Sequence, residues 1–219
     1  MRFMTRGFLL LLAMCTMCFP AYAGDELDWE PEYVDGLEVL YGSQYAYTLK
    51  DGQATIIGYI GSVYGWERGH LFSGEEEPAS GDDDGTVIPD HLAGYPIVAI
   101  YNYAFYESMF TGVTLPEGLA SIGNAAFACS YYFDTIIIPG GVISIGNGAF
   151  SSCISLDSVT LPESVTSIGE DAFWNCGTSK KTESGWEFYE ESHLVLSVAE
   201  GSYAEQYARD NGIAYVFIE

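Results

Sequence analysis

Basic residues are scarce in this chain: its 219 residues include seven Lys and Arg against 31 Asp and Glu, which gives a formal net charge of −24. Nucleic-acid binding needs a basic patch that neutralises phosphates, and seven basic residues cannot easily form one. An anionic membrane surface is disfavoured as a partner for the same reason. Because 48% of the residues are hydrophobic and 15% are aromatic, the composition predicts a folded acidic protein of one or two domains rather than a disordered acidic chain.

Motifs for metal binding and catalysis are also missing. The three His residues (70, 91 and 193) lack zinc-ligand spacing to a Cys or to one another. The chain contains no nucleophile elbow, no Gly-rich phosphate loop and no paired His–acid motif. We therefore expect no catalytic residue, no metal and no cofactor. The acidic insertion over residues 73–86 could offer oxygens to Ca²⁺, but it lacks the spacing of an EF-hand loop, which favours a solvated loop.

Long apolar runs are absent, and the single short one lies at the start of the chain. Residues 1–23 are typical of a cleaved secretory signal peptide, with two Arg, an apolar stretch over residues 8–19 and a small-x-small site at 21–23. A transmembrane helix would need about 20 apolar residues. Cleavage would change the charge from −24 to −26 and leave three Cys, an odd number, so at least one thiol cannot pair within the chain. We expect secretion or display at the cell surface.

The strongest positive signal is a repeat of 23 residues in the middle of the chain. Five positions recur together at this spacing: Pro116, Pro139 and Pro162; Ile122, Ile145 and Ile168; Gly123, Gly146 and Gly169; Ala126, Ala149 and Ala172; Phe127, Phe150 and Phe173. An earlier copy at Ile100, Ala104 and Phe105 precedes the corresponding residues of the next copy by 22 positions instead of 23. The period lies within the range of leucine-rich repeats, whose units bury their apolar residues only by stacking.

Each unit predicts a short strand just before its Pro. Apolar residues stand six, three and one positions before it, an alternation typical of a half-buried strand that the Pro terminates. The positions between them should face outward on one sheet, which makes them the candidate binding residues: Thr111, Thr114, Asp134, Thr135, Ile137, Asp157, Ser158 and Thr160. A stiff sheet can present such side chains to a partner at low entropic cost. The alternative is a plain solvated sheet.

After the Pro, the Ile-Gly pair should form a corner where Gly allows either a positive φ or a close backbone approach. The Ala-Phe pair that follows should fill the interior of the coil. Cys153 and Cys176 each stand three residues after the coil Phe, whereas Cys129 is displaced by one position and Ser130 holds the equivalent place. Stacked side chains point the same way, which favours buried free thiols over a disulfide.

The repeat carries a specific resemblance. Residues 159–173, VTLPESVTSIGEDAF, are similar to the BspA-like leucine-rich repeat family of bacterial surface proteins. So are residues 94–100, GYPIVAI, at the first coil, and residues 201–208, GSYAEQYA, followed by NGI at 211–213. The resemblance covers about residues 40–219. It implies a leucine-rich repeat fold and links the chain with adhesion to host matrix proteins and colonisation, although fold alone does not imply function.

The predicted fold class is α/β: a right-handed leucine-rich repeat solenoid of about four coils, β-rich with short helical or 3-10 turns. After the signal peptide we assign residues 24–37 to a flexible acidic leader and residues 38–219 to one solenoid domain. Within that domain, 38–86 form a β N-terminal cap with the acidic insertion, 87–176 the repeats, and 177–219 an insertion followed by a β/α C-terminal cap.

The predicted function is extracellular binding without catalysis. The partner would be a host matrix or envelope protein, with a glycan as a second type of ligand and homo-oligomers left open; nucleic acid and membrane insertion after signal cleavage are excluded. The alternative is a structural module that packs against a partner of its own cell. The chain has fewer repeats than larger relatives and no recognisable anchor, so adhesion of a cell would need a separate tether or an oligomer.

Overall fold

The computed structural model describes residues 33–41, 45–59, 86–108, 110–182 and 185–218. These residues lie within one compact unit, Pro31–Glu219. The predicted signal peptide, most of the predicted acidic leader and nearly all of the acidic insertion over 73–86 lie outside the described residues. Within the described part of the chain, no helix has the length and the apolar character needed to cross a bilayer.

The N-terminal cap consists of antiparallel strands. These are β1 (Tyr33–Val34), β2 (Leu37–Tyr41), β3 (Tyr45–Lys50) and β4 (Gln53–Tyr59). The predicted hairpin at Asp51-Gly52 is present, with φ of 51° and 76° at the two turn residues. The predicted leader, by contrast, is already β-structure from residue 33, because Asp35-Gly36 forms a second turn of the same kind with φ of 51° and 76°.

The rest of the described chain winds between one continuous back sheet and a series of front strands that form two separate sheets. In chain order the elements are β5 (Thr86–Val87), β6 (His91–Leu92), β7 (Tyr95–Ile100), β8 (Val113–Thr114), β9 (Ser121–Ile122), β10 (Thr135–Ile137), β11 (Ser144–Ile145), β12 (Ser158–Thr160), β13 (Ser167–Ile168), β14 (Ser179–Thr182), β15 (Gly185–Phe188), β16 (Val195–Val198), the helix α1 (Tyr203–Asp210) and β17 (Ala214–Phe217). The back sheet continues from β4 through β7, β9 and β11 to β13 in parallel. The front strands are β5, β8, β10, β12, β16 and β17, also in parallel pairs.

The solenoid therefore makes about six turns, where the 23-residue period predicts about four. Front strand β5 and front strands β16 and β17 continue the stack at the two ends. The period misses these outer turns because the chain between residues 60 and 85, and again between residues 177 and 192, departs from the repeat. The predicted solenoid is confirmed, with more of its length formed by the caps than the sequence indicates.

The interior is a column of parallel phenylalanine rings. Phe105, Phe127, Phe150 and Phe173 stack at centroid distances of 5.0, 5.3 and 5.3 Å, with interplanar angles of 8° or less. All four rings are buried, as the Ala-Phe repeat predicts. Because the repeat length is constant, each Phe occupies the equivalent position of its coil, and rings of one size fill a core of constant width.

The links outside the column are successive turns, at the places where the sequence predicts short helical or 3-10 turns. Two residues of each link have a left-handed backbone: Tyr103, Ala125, Gly148 and Asp171 at the first position, and Glu107, Cys129, Ser152 and Asn175 at the second, with φ between 50° and 61°. A left-handed residue cannot continue a right-handed helix. Two of them four residues apart therefore keep each link as a series of tight turns, and only α1 is helical among the described residues.

The first left-handed position offers a matched pair of variants, since Ala125 and Gly148 occupy it in neighbouring coils. Replacing Ala125 by Gly should raise the free energy of unfolding by about 0.5–1 kcal/mol, because it relieves the penalty on a left-handed Ala. Replacing Gly148 by Ala should lower it by a similar amount, although the nearest atom to the new Cβ is 3.6 Å away. Urea unfolding midpoints measure both changes. Shifts of the same sign would contradict the assignment.

Hydroxyl and thiol groups stack beside the rings. Ser130 donates a hydrogen bond to the carbonyl of Phe105 at 3.1 Å, and Cys153 and Cys176 donate to those of Phe127 and Phe150 at 3.1 and 3.0 Å. Cys129, which stands one position earlier in its coil, takes the left-handed position instead. All three Cys residues are buried, and none of them forms a disulfide. Burial raises the pKa of the Cys153 thiol well above its ordinary value, so we expect it to stay protonated and unreactive while the protein is folded.

Both ends of the Phe column are covered. At the N-terminal end Tyr59 and Tyr45 lie 5.2 and 6.3 Å from Phe105. At the other end α1 begins as predicted: Ser202 accepts a hydrogen bond from the Glu205 N–H at 3.2 Å, and the Glu205 carboxylate accepts one from the Gly201 N–H at 2.6 Å. This reciprocal capping satisfies donors at the start of the helix.

Candidate functional site

The strand face is the outward surface of the front strands, and its side chains form two rows. The register places Thr135, Ser158, Val195 and Ala214 in the first row and Ile137, Thr160, Ser197 and Val216 in the second. Thr114 and Val87 are paired in the same way on β8 and β5. Each row arises because parallel strands without a register shift bring every second residue to the same surface.

The structure brings all eight candidate residues to this face or to its edge. Five are exposed, namely Thr111, Thr114, Asp134, Thr135 and Ile137, and three are half-buried, namely Asp157, Ser158 and Thr160. The residues between them, such as Ile136 and Val159, are buried, so the alternation predicts the direction of each side chain correctly. The role of the eight residues in binding stays a prediction.

The face is uncharged along its rows and carries both apolar and hydroxyl side chains. Hydroxyl groups of Ser158, Thr160 and Ser197 occupy its middle, whereas Val87, Ile137 and Val216 are 67%, 69% and 52% exposed. Solvated sheets usually carry isolated apolar residues of this kind. Three of them on one surface, separated by hydroxyls, offer both apolar and hydrogen-bonding contacts to a partner protein.

Charged residues gather where the front strands begin, in a group that we call the rim: Asp134, Asp157, Lys180 and His193. Burial raises the pKa of the Asp157 carboxyl above its ordinary value, Lys180 and His193 lower it in part, and the charge of Asp134 raises it further. The Oδ1 atom of Asp157 is buried and has no hydrogen-bond partner within the described residues. The rim thus brings two carboxylates, a lysine and a histidine together at one edge of the strand face.

A hairpin supplies part of the rim. Strands β14 and β15 pair antiparallel, with Lys180 opposite Glu187 and Ser179 opposite Phe188. Its Trp186 ring lies 5.7 Å from Tyr132, and Tyr189 after it stacks on His193 at 3.9 Å. Insertions in repeat proteins commonly map to the binding surface. The sequence shows only that residues 177–192 depart from the repeat, since SKKT and GWEF lack a regular apolar alternation.

Sequence reasoning therefore misses Lys180, Trp186 and His193. Lys180 comes one repeat period of 23 residues after Asp157, so the period could have placed it beside that carboxylate, where the structure brings the two into electrostatic reach. No such signal marks Trp186 or His193. The combination of aromatic rings, two acids, a lysine and a histidine beside a hydroxyl-rich sheet suits recognition of a protein surface. Within the described ranges, no group of three His, Cys, Asp or Glu side chains could hold a metal ion.

A shallow groove of about 400 Å³ runs along the back sheet, lined by the Ser, Gly and Asn residues that follow each repeat corner. Its Asn side chains already bind the backbone: the Oδ1 atoms of Asn102, Asn124 and Asn147 accept hydrogen bonds from the next coil's N–H at 2.7, 2.8 and 3.0 Å. These contacts hold successive coils together. We therefore regard the groove as a structural feature and the strand face with its rim as the candidate site.

Comparisons with known proteins agree with this architecture. Residues 94–185 match the family model described as "BspA type Leucine rich repeat region" in six copies. A crystal structure of a leucine-rich repeat protein from Bacteroides capillosus is 27% identical with a TM-score of 0.50, and the match covers 63% of this chain and 91% of that one. A leucine-rich repeat protein from T. pallidum is 22% identical with a TM-score of 0.45, covering 72% and 70%. The search of curated proteins found no match.

The parallel coils, the Phe column and the repeated corners define a leucine-rich repeat solenoid. Its repeats over residues 94–185 match the BspA type, which confirms the resemblance stated from the sequence.

Proposed function

We propose that this protein is an extracellular binding module that recognises a partner protein through the strand face and the rim, without catalysis. The observation that carries the proposal is the conjunction of two features on one side of the solenoid. Aligned rows of exposed hydroxyl and apolar side chains lie beside an inserted hairpin that adds aromatic and charged groups. Neither the hairpin nor the exposed Ile137 is needed to stack the coils.

The rim gives the site its specificity in this proposal. Tyr and Trp contribute large contact areas at low entropic cost, and Tyr132 with Trp186 forms such a pair at the edge of the face. Asp134 is exposed and Asp157 half-buried at the same edge of the face, so the two carboxylates favour a partner with basic or hydrogen-bond-donating groups at this point.

The proposed location follows from the sequence. A secretory signal peptide over residues 1–23 supports export, and the BspA type of the repeat supports a place at the cell surface. Adhesion to a host matrix protein is the finer proposal that the family resemblance supports. A net charge of −24 favours a neutral or basic surface on the partner, and an anionic one would be repelled.

Binding can be measured by biolayer interferometry with residues 24–219 over immobilised fibronectin, fibrinogen and a glycan panel, at two salt concentrations. We expect saturable binding to one of the proteins that the pair Thr135→Arg and Ser158→Arg reduces at least about tenfold, because two long charged side chains would block the face. The matched control is Thr166→Arg with Ser167→Arg, since these exposed residues lie on the back of the solenoid and add the same charge. The control pair should leave binding unchanged.

Two results would contradict the proposal. An equal loss with both pairs would show that added charge, not the strand face, matters. No binding to any ligand at concentrations on the order of 10 μM would exclude adhesion to these targets. In that case the structural alternative is favoured, and the partner should be sought in the envelope of the producing cell.

A further inference from the structure

The C-terminal end of the solenoid contains a second site. A pocket of about 320 Å³ opens between the last regular link, the segment that leads into β16 and the end of α1. Its lining includes Asp171, Trp174, Asn175, Ser192 and Asn211. None of the eight candidate residues and none of the rim residues contributes to it, so its function can be tested separately from that of the strand face.

Backbone donors without partners line this pocket. In the earlier coils two N–H groups of each link donate to carbonyls of the next coil: Tyr103 to Asn124, Ala125 to Asn147 and Gly148 to Glu170 at the first position, and Glu107 to Ala128, Cys129 to Ser151 and Ser152 to Trp174 at the second. The last coil has no regular successor. The equivalent N–H groups of Asp171 and Asn175 accordingly find no acceptor within the described part of the chain.

The C-terminal cap covers only the centre of this open end. Tyr207 packs on the last ring of the column, 6.1 Å from Phe173, and its hydroxyl interacts with the backbone N–H groups of Ala172 and Phe173. In earlier coils the acceptor is a carbonyl of the next coil instead of a Tyr hydroxyl: the N–H of Phe127, for example, donates to the carbonyl of Ala149 at 2.8 Å. The donors on both sides of it, at Asp171 and Asn175, are left for another molecule or for water.

An aromatic side chain and an acid stand beside these donors. Trp174 lies between the two positions in sequence, lines the pocket and is 46% exposed. The carboxylate of Asp171 is exposed as well. The pocket therefore combines two backbone N–H donors, one negatively charged hydrogen-bond acceptor and the apolar body of an indole ring. Its volume is at the lower end of the range for small-molecule sites.

We propose that this pocket binds one ring of a neutral pyranose saccharide. Hydroxyl groups both accept and donate hydrogen bonds, so one ring can accept from the N–H groups of Asp171 and Asn175 and donate to the Asp171 carboxylate. Its C–H face would lie on Trp174, because sugar rings, like Tyr and Trp, have an apolar and a polar side. An anion fits less well because Asp171 would repel it, and an apolar ligand would leave both N–H groups unpaired.

The direct test is an NMR titration of ¹⁵N-labelled residues 24–219 with the methyl glycosides of glucose, mannose, galactose and N-acetylglucosamine. We expect one glycoside to shift the amide signals of Asp171 and Asn175 and the indole signal of Trp174 in a saturable manner, with a Kd on the order of 1 mM. Absence of saturable shifts at these positions up to about 50 mM of every glycoside, or shifts only on the strand face, would overturn the proposal.

Two variants and one control sharpen the test. Trp174→Ala should abolish binding, whereas Tyr95→Ala, at an aromatic ring of β7 that is 40% exposed, should leave it intact. Asp171→Asn keeps a residue that tolerates the left-handed backbone, with φ of 54° in the structure, but removes the charged acceptor, so it should weaken binding at least about tenfold. A dispersed amide spectrum confirms that each variant is folded. Unchanged affinity in both pocket variants, or equal loss in the control, would overturn the assignment.

Discussion

Replacing Phe150 by Ala is expected to lower the free energy of unfolding by about 3–5 kcal/mol. The ring is fully buried and lies between two parallel neighbours, 5.3 Å from Phe127 and 5.3 Å from Phe173. Its removal would leave a cavity in the middle of the column, which the coils cannot close because hydrogen bonds between neighbouring coils fix their spacing. The effect therefore combines lost burial of the ring with the cost of the cavity.

Urea unfolding of the variant and the parent protein measures this change. Phe188→Ala is the matched control, because that ring is 47% exposed on the β14–β15 hairpin, and we expect its effect to stay below about 1 kcal/mol. An unchanged melting temperature for Phe150→Ala would show that the column does not form the core of the solenoid.

Replacing Gly146 by Ala is expected to destabilise the protein by about 3 kcal/mol, at the upper end of the usual cost of overpacking. A Cβ at this position would lie 2.6 Å from the backbone N of Asn124 and 2.6 Å from the backbone carbon of Gly123. No flexible side chain can move away to make room, since both atoms belong to the backbone of the preceding coil. The two coils would have to separate, and the hydrogen bond from Asn147 N–H to Asn124 Oδ1 would break.

Gly140→Ala is the matched control in the same coil. Its new Cβ would meet no atom within 4 Å, and its φ is not in the left-handed region. We expect it to be neutral or to stabilise the protein by less than about 1 kcal/mol. Comparison of the two variants by thermal unfolding separates a close approach of backbones from the general cost of replacing Gly. Equal midpoints would contradict the close packing at the corner.

These two sites also bear on the proposed function. The Phe column and the Gly corners keep every coil at the same spacing, so the front strands stay in register and the rows of the strand face remain aligned. A binding surface formed by side chains from different coils depends on this regularity. We therefore expect core variants that remain folded to bind the partner normally below their melting temperature, since they alter stability and leave the exposed side chains unchanged.

Much of the fold could be predicted from the sequence, because the same residue types recur at the same positions of each repeat. The 23-residue period places Phe127, Phe150 and Phe173 in one column, and the alternation before each Pro predicts which side chains of β10 and β12 point outward. Ser202 with Glu205 predicts the start of α1 from capping alone. Each of these features depends on residues close in sequence or related by one fixed spacing, and such patterns can be read without coordinates.

The sequence alone could not choose between the two roles of the corner Gly. Positive φ and close approach both favour Gly, and only the stacked coils show that Gly123, Gly146 and Gly169 are needed because backbone atoms of the preceding coil lie within 2.8 Å of the missing Cβ. The left-handed residues are instead those of the links, such as Ala125 and Asn175. Their types vary from coil to coil, so no residue pattern marks them.

The sites depend most on the tertiary structure. The rim is completed because a hairpin inserted after the last regular link returns to the start of the front strands, which brings His193 near Asp157. The end pocket exists because stacking stops, which leaves the N–H groups of Asp171 and Asn175 without the carbonyls that their equivalents use. The repeat by itself therefore determined the solenoid and the direction of its side chains. Where the repeat is interrupted or ends, local patterns no longer specify which groups meet, and only the folded chain decided it.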